Sequence, residues 1–141
     1  MDLANQIIKF IKEYKILLNN IYKLEHITHQ QASILYTIPF DGININELSL
    51  ELGLHISTMT RNLCKLESLG LIKRLINNED KRSIIIVLSK SGVLKKNNIE
   101  NQHHHSLQAV LASHKDFNKL ELSNLLESLT WLIKKFNFIN E

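Results

Sequence analysis

The 141-residue chain has one cysteine, one proline and four glycines, and only 6% of it is aromatic. A single cysteine, Cys64, excludes an intrachain disulfide and fits a reducing compartment. So little proline and glycine leaves no flexible linker to divide the chain. No internal repeat is present. No apolar run approaches the roughly 20 residues needed to span a bilayer. The opening MDLANQIIKF has neither a basic leader nor a cleavable apolar stretch, so the expected compartment is the cytoplasm. A Gly-rich phosphate loop, Gly-x-Ser-x-Gly and His-Glu-x-x-His are all missing. The chain is therefore not read as an enzyme, and no cofactor is expected.

What remains is an ordinary globular composition, 44% hydrophobic and 22% charged, with a net charge of +3 that is unevenly spread. Between His55 and Lys90 stand seven basic residues against three acidic ones, so that stretch carries more than the whole excess. An anionic partner would meet the chain there.

Periodicity supplies the elements. Leu3, Ile7, Ile11, Tyr14, Leu18, Ile21 and Tyr22 recur at steps of three and four, one stripe of a helix over about 3–24. Thr28 with Gln31, Asn44 with Glu47 and Asn118 with Glu121 have capping-box spacing, and each opens a helix. A fourth helix runs from about Ile56 to Leu69, with Ile56, Met59, Leu63 and Leu66 inward. Ser57, Arg61, Cys64, Lys65 and Ser68 lie on the opposite face, flanked by Thr58 and Thr60. Gly53 and Gly70 suit helix ends. The period then changes. LIKRLI and SIIIVLS read as antiparallel strands around EDKRS at 79–83, with Ile84 to Val87 assigned to the core. A long helix follows from about Lys90 to Ser113. The last helix carries Leu122, Leu125, Leu126, Leu129, Leu132, Ile133 and Phe136 on one stripe.

The expected fold is mainly α with a small β-hairpin wing: a winged helix-turn-helix over 28–90 in a single chain. Ser49, Gly53 and Met59 suit the turn: a small residue where helices cross, glycine at the corner, an apolar side chain inward. Helices at 1–25 and 91–141 carry apolar stripes too extensive for so small a core. A second copy is the simplest cover.

In ITHQQASIL, INELSLELGLHISTMTRNLCKLESLGLIKR, EDKRS and VLSKSG the chain resembles the MarR family of bacterial transcription regulators. The family pattern is met by Leu66, Glu67, Gly70, Leu71, Ile72 and Arg74. It continues in Asp80 and Arg82 at the wing tip and in Leu88, Ser89 and Gly92 after it. His29, Ser49 and His55 depart from it, and His55 is a poor cap for the fourth helix. The resemblance implies a homodimer on pseudo-palindromic double-stranded DNA, acting as a repressor, or else an activator, tuned by a small-molecule effector. Half-sites would lie roughly 34 Å apart. A dimeric protein-interaction module and an effectorless architectural DNA binder are the alternatives.

On this reading Ser57, Thr58, Thr60, Arg61 and Lys65 form the DNA face of the recognition helix. Arg61 is placed to read a base and Lys65 to touch phosphate. Arg74, Asp80, Lys81 and Arg82 complete the set. The resemblance implies Arg82 in the minor groove, with Asp80 aiming it and Lys81 adding charge beside it. The run His103-His104-His105 is not a one-helix metal site, because successive side chains point about 100° apart. Those histidines are expected to be solvated or at an interface, with no metal bound. Cys64 is read as an ordinary thiol.

Overall fold

Side-chain caps decide where the helices of this chain begin. The computed structural model describes residues 2–77, 80, 83–113, 116 and 118–139, with backbone only for 136–139. The elements are α1 (Leu3–Leu24), α2 (His29–Thr37), β1 (Ile43–Asn44), α3 (Ile45–Glu51), α4 (Ile56–Ser68), β2 (Ile72–Ile76), β3 (Ile84–Leu88), α5 (Lys90–Ala112) and α6 (Lys119–Ile139). Asp2 caps α1 by accepting the Asn5 N–H at 2.8 Å. At α2 both halves of the capping box form: Thr28 Oγ1 accepts the Gln31 N–H at 3.2 Å, and Gln31 Oε1 accepts the Thr28 N–H at 3.0 Å. Thr28→Ala should lower stability by about 1 kcal/mol. A urea midpoint that does not move on this substitution would show the box to be idle.

The second expected box forms differently. Asn44 Oδ1 takes the Asn46 N–H at 2.8 Å, while Asn44 Nδ2 donates to Ser83 Oγ at 2.7 Å. Asn44 is thus tied to the wing as well as to α3. The reason is a strand that the sequence reading missed. Ile43 and Asn44 pair antiparallel with Ile86 and Ile85, making a three-stranded sheet in the order β1-β3-β2. The hairpin itself is as expected, with Ile72 opposite Leu88 and Ile76 opposite Ile84. Gly53 and Gly70 take φ of +60° and +71° just past α3 and α4, where a left-handed residue closes a helix.

The chain divides into two compact units, 1–103 and 104–141. In the first, Ile34, Leu35, Leu48, Met59, Leu63 and Ile86 are among the fully buried side chains, so α2, α3, α4 and β3 meet in one core. Ser49 is buried at the crossing of α3 and α4, as its size allows. Two expected core residues lie outside this core. Ile56 sits in the first turn of α4 and is 49% exposed, and Ile84 sits at the open end of the hairpin and is 42% exposed. Alternation turns Ile85 and Val87 to the other face, and Ile84, on the same face as Ile86, lies past the end of the core, so only Ile86 of the run is fully buried. Burial also splits the α1 stripe. Leu18, Ile21 and Tyr22 are in the core, while Leu3, Ile11 and Tyr14 remain bare, as does Phe10 beside them.

In the second unit, Asn118 Oδ1 accepts the N–H groups of Leu120 (3.0 Å) and Glu121 (3.4 Å) to start α6. Leu125, Leu126, Leu132 and Ile133 are exposed on the expected stripe. The side chain of Phe136 lies outside the described residues. Trp131 stands off that stripe, with the Lys135 ammonium 4.6 Å from its ring centroid. Among the described residues no helix is long and apolar enough to cross a membrane.

Candidate nucleic-acid interface

α4 has two faces because its sequence alternates at helical spacing. Met59, Leu63 and Leu66 are fully buried, and Ser57, Arg61, Cys64, Lys65 and Ser68 point the other way and are exposed. Thr58 and Thr60 sit half-buried along the edges. The His55 side chain makes no capping bond, as its chemistry predicts. The first N–H groups of α4 therefore lack side-chain acceptors from their cap, and the positive end of the helix dipole lies beside Ser57 and Thr58. A phosphate group matches that arrangement in both charge and hydrogen bonding.

Asn62 was missed in the sequence reading. Its Nδ2 donates to Gln30 Oε1 on α2 at 3.2 Å and to Thr58 O at 3.0 Å. The i, i+4 bond to Thr58 is readable from helical spacing. The tie to Gln30 is not, because 32 residues separate the pair. The amide of Asn62 braces α4 against α2.

Arg74 lies on β2, and its guanidinium is already shared. Nε pairs with Glu67 Oε2 at 3.1 Å, and one Nη donates to Cys64 Sγ at 3.3 Å. Both partners belong to α4, so the first effect of Arg74 is to fasten the wing to that helix. The pair is partly exposed and contributes about 0–1 kcal/mol to stability. Cys64 is an exposed free thiol.

The wing turns after β2. The Asn77 N–H donates to Ser83 O, and the Ser83 N–H donates to Asp80 O, each at 2.9 Å. Asp80 is exposed there. Lys81 and Arg82 lie outside the described residues, and so does the expected Asp80–Arg82 pair. Behind the wing, Ser89 Oγ accepts the Gly92 N–H at 3.0 Å and donates to Gly70 O at 2.5 Å. One hydroxyl thereby joins the end of α4 to the start of α5.

Among the described residues no three His, Cys, Asp or Glu side chains gather into a set able to hold a metal ion. Of the run expected to be solvated or at an interface, His104 and His105 are exposed, whereas His103 is packed among aromatic rings.

Residues 27–84, the segment that holds this face, match the model of the MarR family. Over that segment the chain resembles the MarR family. It is similar to the organic hydroperoxide resistance transcriptional regulator of Bacillus subtilis (strain 168), at 33% identity over 86 residues, 60% of this chain. The match spans only 56% of the length of that relative. Solved MarR-family structures follow the fold almost end to end. A Cys-to-Ser variant of MarR from E. coli has a TM-score of 0.76 at 25% identity, covering 94% of this chain and 97% of that one. The S. aureus MepR–DNA complex has a TM-score of 0.74 at 20% identity, covering 96% and 98%, and shows the fold alone.

Proposed function

We propose that this chain is a cytoplasmic transcriptional regulator of the MarR type, a homodimeric repressor that binds pseudo-palindromic double-stranded DNA and answers to a small-molecule effector. One observation carries the reading. An exposed face of hydroxyls and cations, Ser57, Arg61 and Lys65, stands on a helix whose other face is fully buried. Such a helix is rigidly held and can enter a major groove. The local charge agrees, since the stretch from His55 to Lys90 carries seven basic residues and three acidic ones. Among its relatives, the B. subtilis protein is named a transcriptional regulator and MepR was solved with DNA.

On this reading Ser57, Thr58 and Thr60 meet the backbone and base edges near the start of α4. Arg61 reads a base, Lys65 takes a phosphate, and Arg74 orders the wing. Asp80, Lys81 and Arg82 form the tip that reaches the minor groove. The bare apolar stripes of α1 and α6 meet their counterparts in a second copy.

The test is selection of bound fragments from genomic DNA, followed by titration of a selected site and random DNA at two salt concentrations. Tighter binding to the selected site, with a salt dependence common to both DNAs, supports regulation by sequence. Equal affinity for both would point to an architectural binder, and no binding to either would leave a protein-interaction module. Arg61→Ala should weaken the selected site by about 1–3 kcal/mol per contact and change random DNA little. Equal weakening on both would reduce Arg61 to a phosphate contact.

A further inference from the structure

α5 meets α1 and α2 through a cluster that DNA reading does not use. His103 of α5 lies parallel to Tyr36 of α2, with ring centroids 5.9 Å apart and planes 6° off parallel. The Tyr36 hydroxyl is 3.3 Å from His103 Nδ1. Tyr22 of α1 meets the same imidazole edge-on at 5.7 Å, and meets His29 of α2 at 5.5 Å. His103 Nε2 is buried and has no hydrogen-bond partner. The charged groups around it are few. From α5, the Lys96 ammonium donates to Tyr36 O at 3.0 Å and lies 5.9 Å from the Tyr36 ring centroid. Glu100, one turn before His103, is exposed. Lys95 of α5 is engaged at the end of α1, where its ammonium meets Glu25 O at 3.1 Å and Glu25 Oε2 at 3.0 Å.

A neutral imidazole fits this setting with one imperfection. With the proton on Nδ1, the ring donates to the Tyr36 hydroxyl and leaves only an Nε2 lone pair without a partner, at modest cost. A protonated ring fits far worse. It would place a second N–H, and a full charge, where no acceptor waits. Burial accordingly lowers the His103 pKa from its ordinary 6.5, with Glu100 opposing. Burial, helped by Glu100 and by Tyr22 and Tyr14, pushes Tyr36 up to about 12, so its hydroxyl stays protonated as a partner for the ring. Tyr22 is raised as well, first by burial and then by Tyr14.

We propose that His103 is a proton-operated latch between α5 and the α1–α2 pair: neutral, it closes the aromatic stack, and protonation opens it. The direction with pH follows from the lowered pKa. Unfolded chains take up this proton first as pH falls, so the contribution of the latch is complete above about 6.5 and is lost progressively below it. Gly92 and Ile99 keep the start of α5 buried, so protonation releases the tie of α5 to α1 and α2 at His103 alone.

The experiment follows the histidine and tyrosine ring resonances of the intact chain by NMR from pH 8 to pH 5, with His103 assigned by comparison with His103→Gln. Urea unfolding of both proteins at each end of that range completes it. The latch predicts that His103 titrates below 6.5 and that the Tyr22 and Tyr36 rings move with the same midpoint. It also predicts that the urea midpoint of the wild type falls on acidification by more than that of the variant. A side chain that merely fills space would lower stability equally at both pH values. His103 titrating at or above 6.5, tyrosine rings that ignore its titration, or equal acid sensitivity of the two proteins would each overturn the proposal. If the variant fails to fold, His103 is assigned in the wild type by the through-space contacts of its ring with Tyr22 and Tyr36, and its titration still decides the matter.

Discussion

Light scattering at micromolar concentration should return a mass near twice the 16.4 kDa of one chain. Phe10→Asp and Leu125→Asp should each return it toward one. The motive is an apolar stripe that runs out of core. In α1 the stripe is continuous in sequence, yet Leu18, Ile21 and Tyr22 are buried while Leu3 and Tyr14 are bare, with Phe10, beside the stripe and also bare, stacked on Tyr14 at 5.8 Å. In α6, Leu125 and Leu132 are each 55% exposed, while Leu122 and Leu129 of the same stripe are half-buried. Burying one such side chain against a partner is worth about 1.5–3 kcal/mol. An aspartate in its place would also bring an unpaired charge into the interface, at several kcal/mol more. The combined change is a weakening of the dimer by about a thousandfold or more. Because Phe10 is already 58% exposed within a single chain, its replacement should leave the first unit's helical circular dichroism intact. A monomeric mass for the wild type across the range would remove the dimer from the proposed function.

Gly92→Ala should destabilise the protein by about 1–3 kcal/mol or more. The sign is opposite to what α5 alone would give, since glycine to alanine inside a helix ordinarily gains about 0.5–1 kcal/mol. Gly92 is buried where α5 begins, and a Cβ there would overlap the Leu71 carbonyl oxygen and press on its carbon at 2.9 Å. That oxygen is already held, because it accepts the Ser89 N–H at 3.0 Å. The obstacle is backbone on both sides and cannot yield by a rotamer change, so the start of α5 must move off the sheet. Gly53 and Gly70 provide the contrast. Nothing lies within 4 Å of a Cβ at either, and their cost is only that of a left-handed backbone, about 1–2 kcal/mol each. A urea midpoint for Gly92→Ala at or above the wild type would mean that the approach of α5 to Leu71 is looser than the structure has it.

Most of the element order was legible because its causes are local. The α1 stripe, the Thr28–Gln31 box, the glycines after α3 and α4, and the switch to β-branched residues at 72–88 act within a few residues of where they stand. The two faces of α4 were legible for the same reason: helical period alone separates Met59, Leu63 and Leu66 from Ser57, Arg61 and Lys65. The candidate interface could therefore be named from the sequence, apart from its bracing. The Asn62–Gln30 amide bond and the sharing of Arg74 between Glu67 and Cys64 join segments whose proximity no local pattern encodes.

By itself, then, the sequence determined the helices, the hairpin and the polar face of α4, since these depend on periodicity and caps. Only the tertiary structure decided the rest. β1 is two residues long and exists because Ile86 and Ile85 lie opposite it. Ile86 is core and Ile84 is not, because the core ends partway along the hairpin. Gly92 matters because a carbonyl from the end of α4 sits where its side chain would be. His103 differs from His104 and His105 because two tyrosines from other helices close on it alone. Contacts between distant segments carry no period and no cap, so the chain must fold before they can be read.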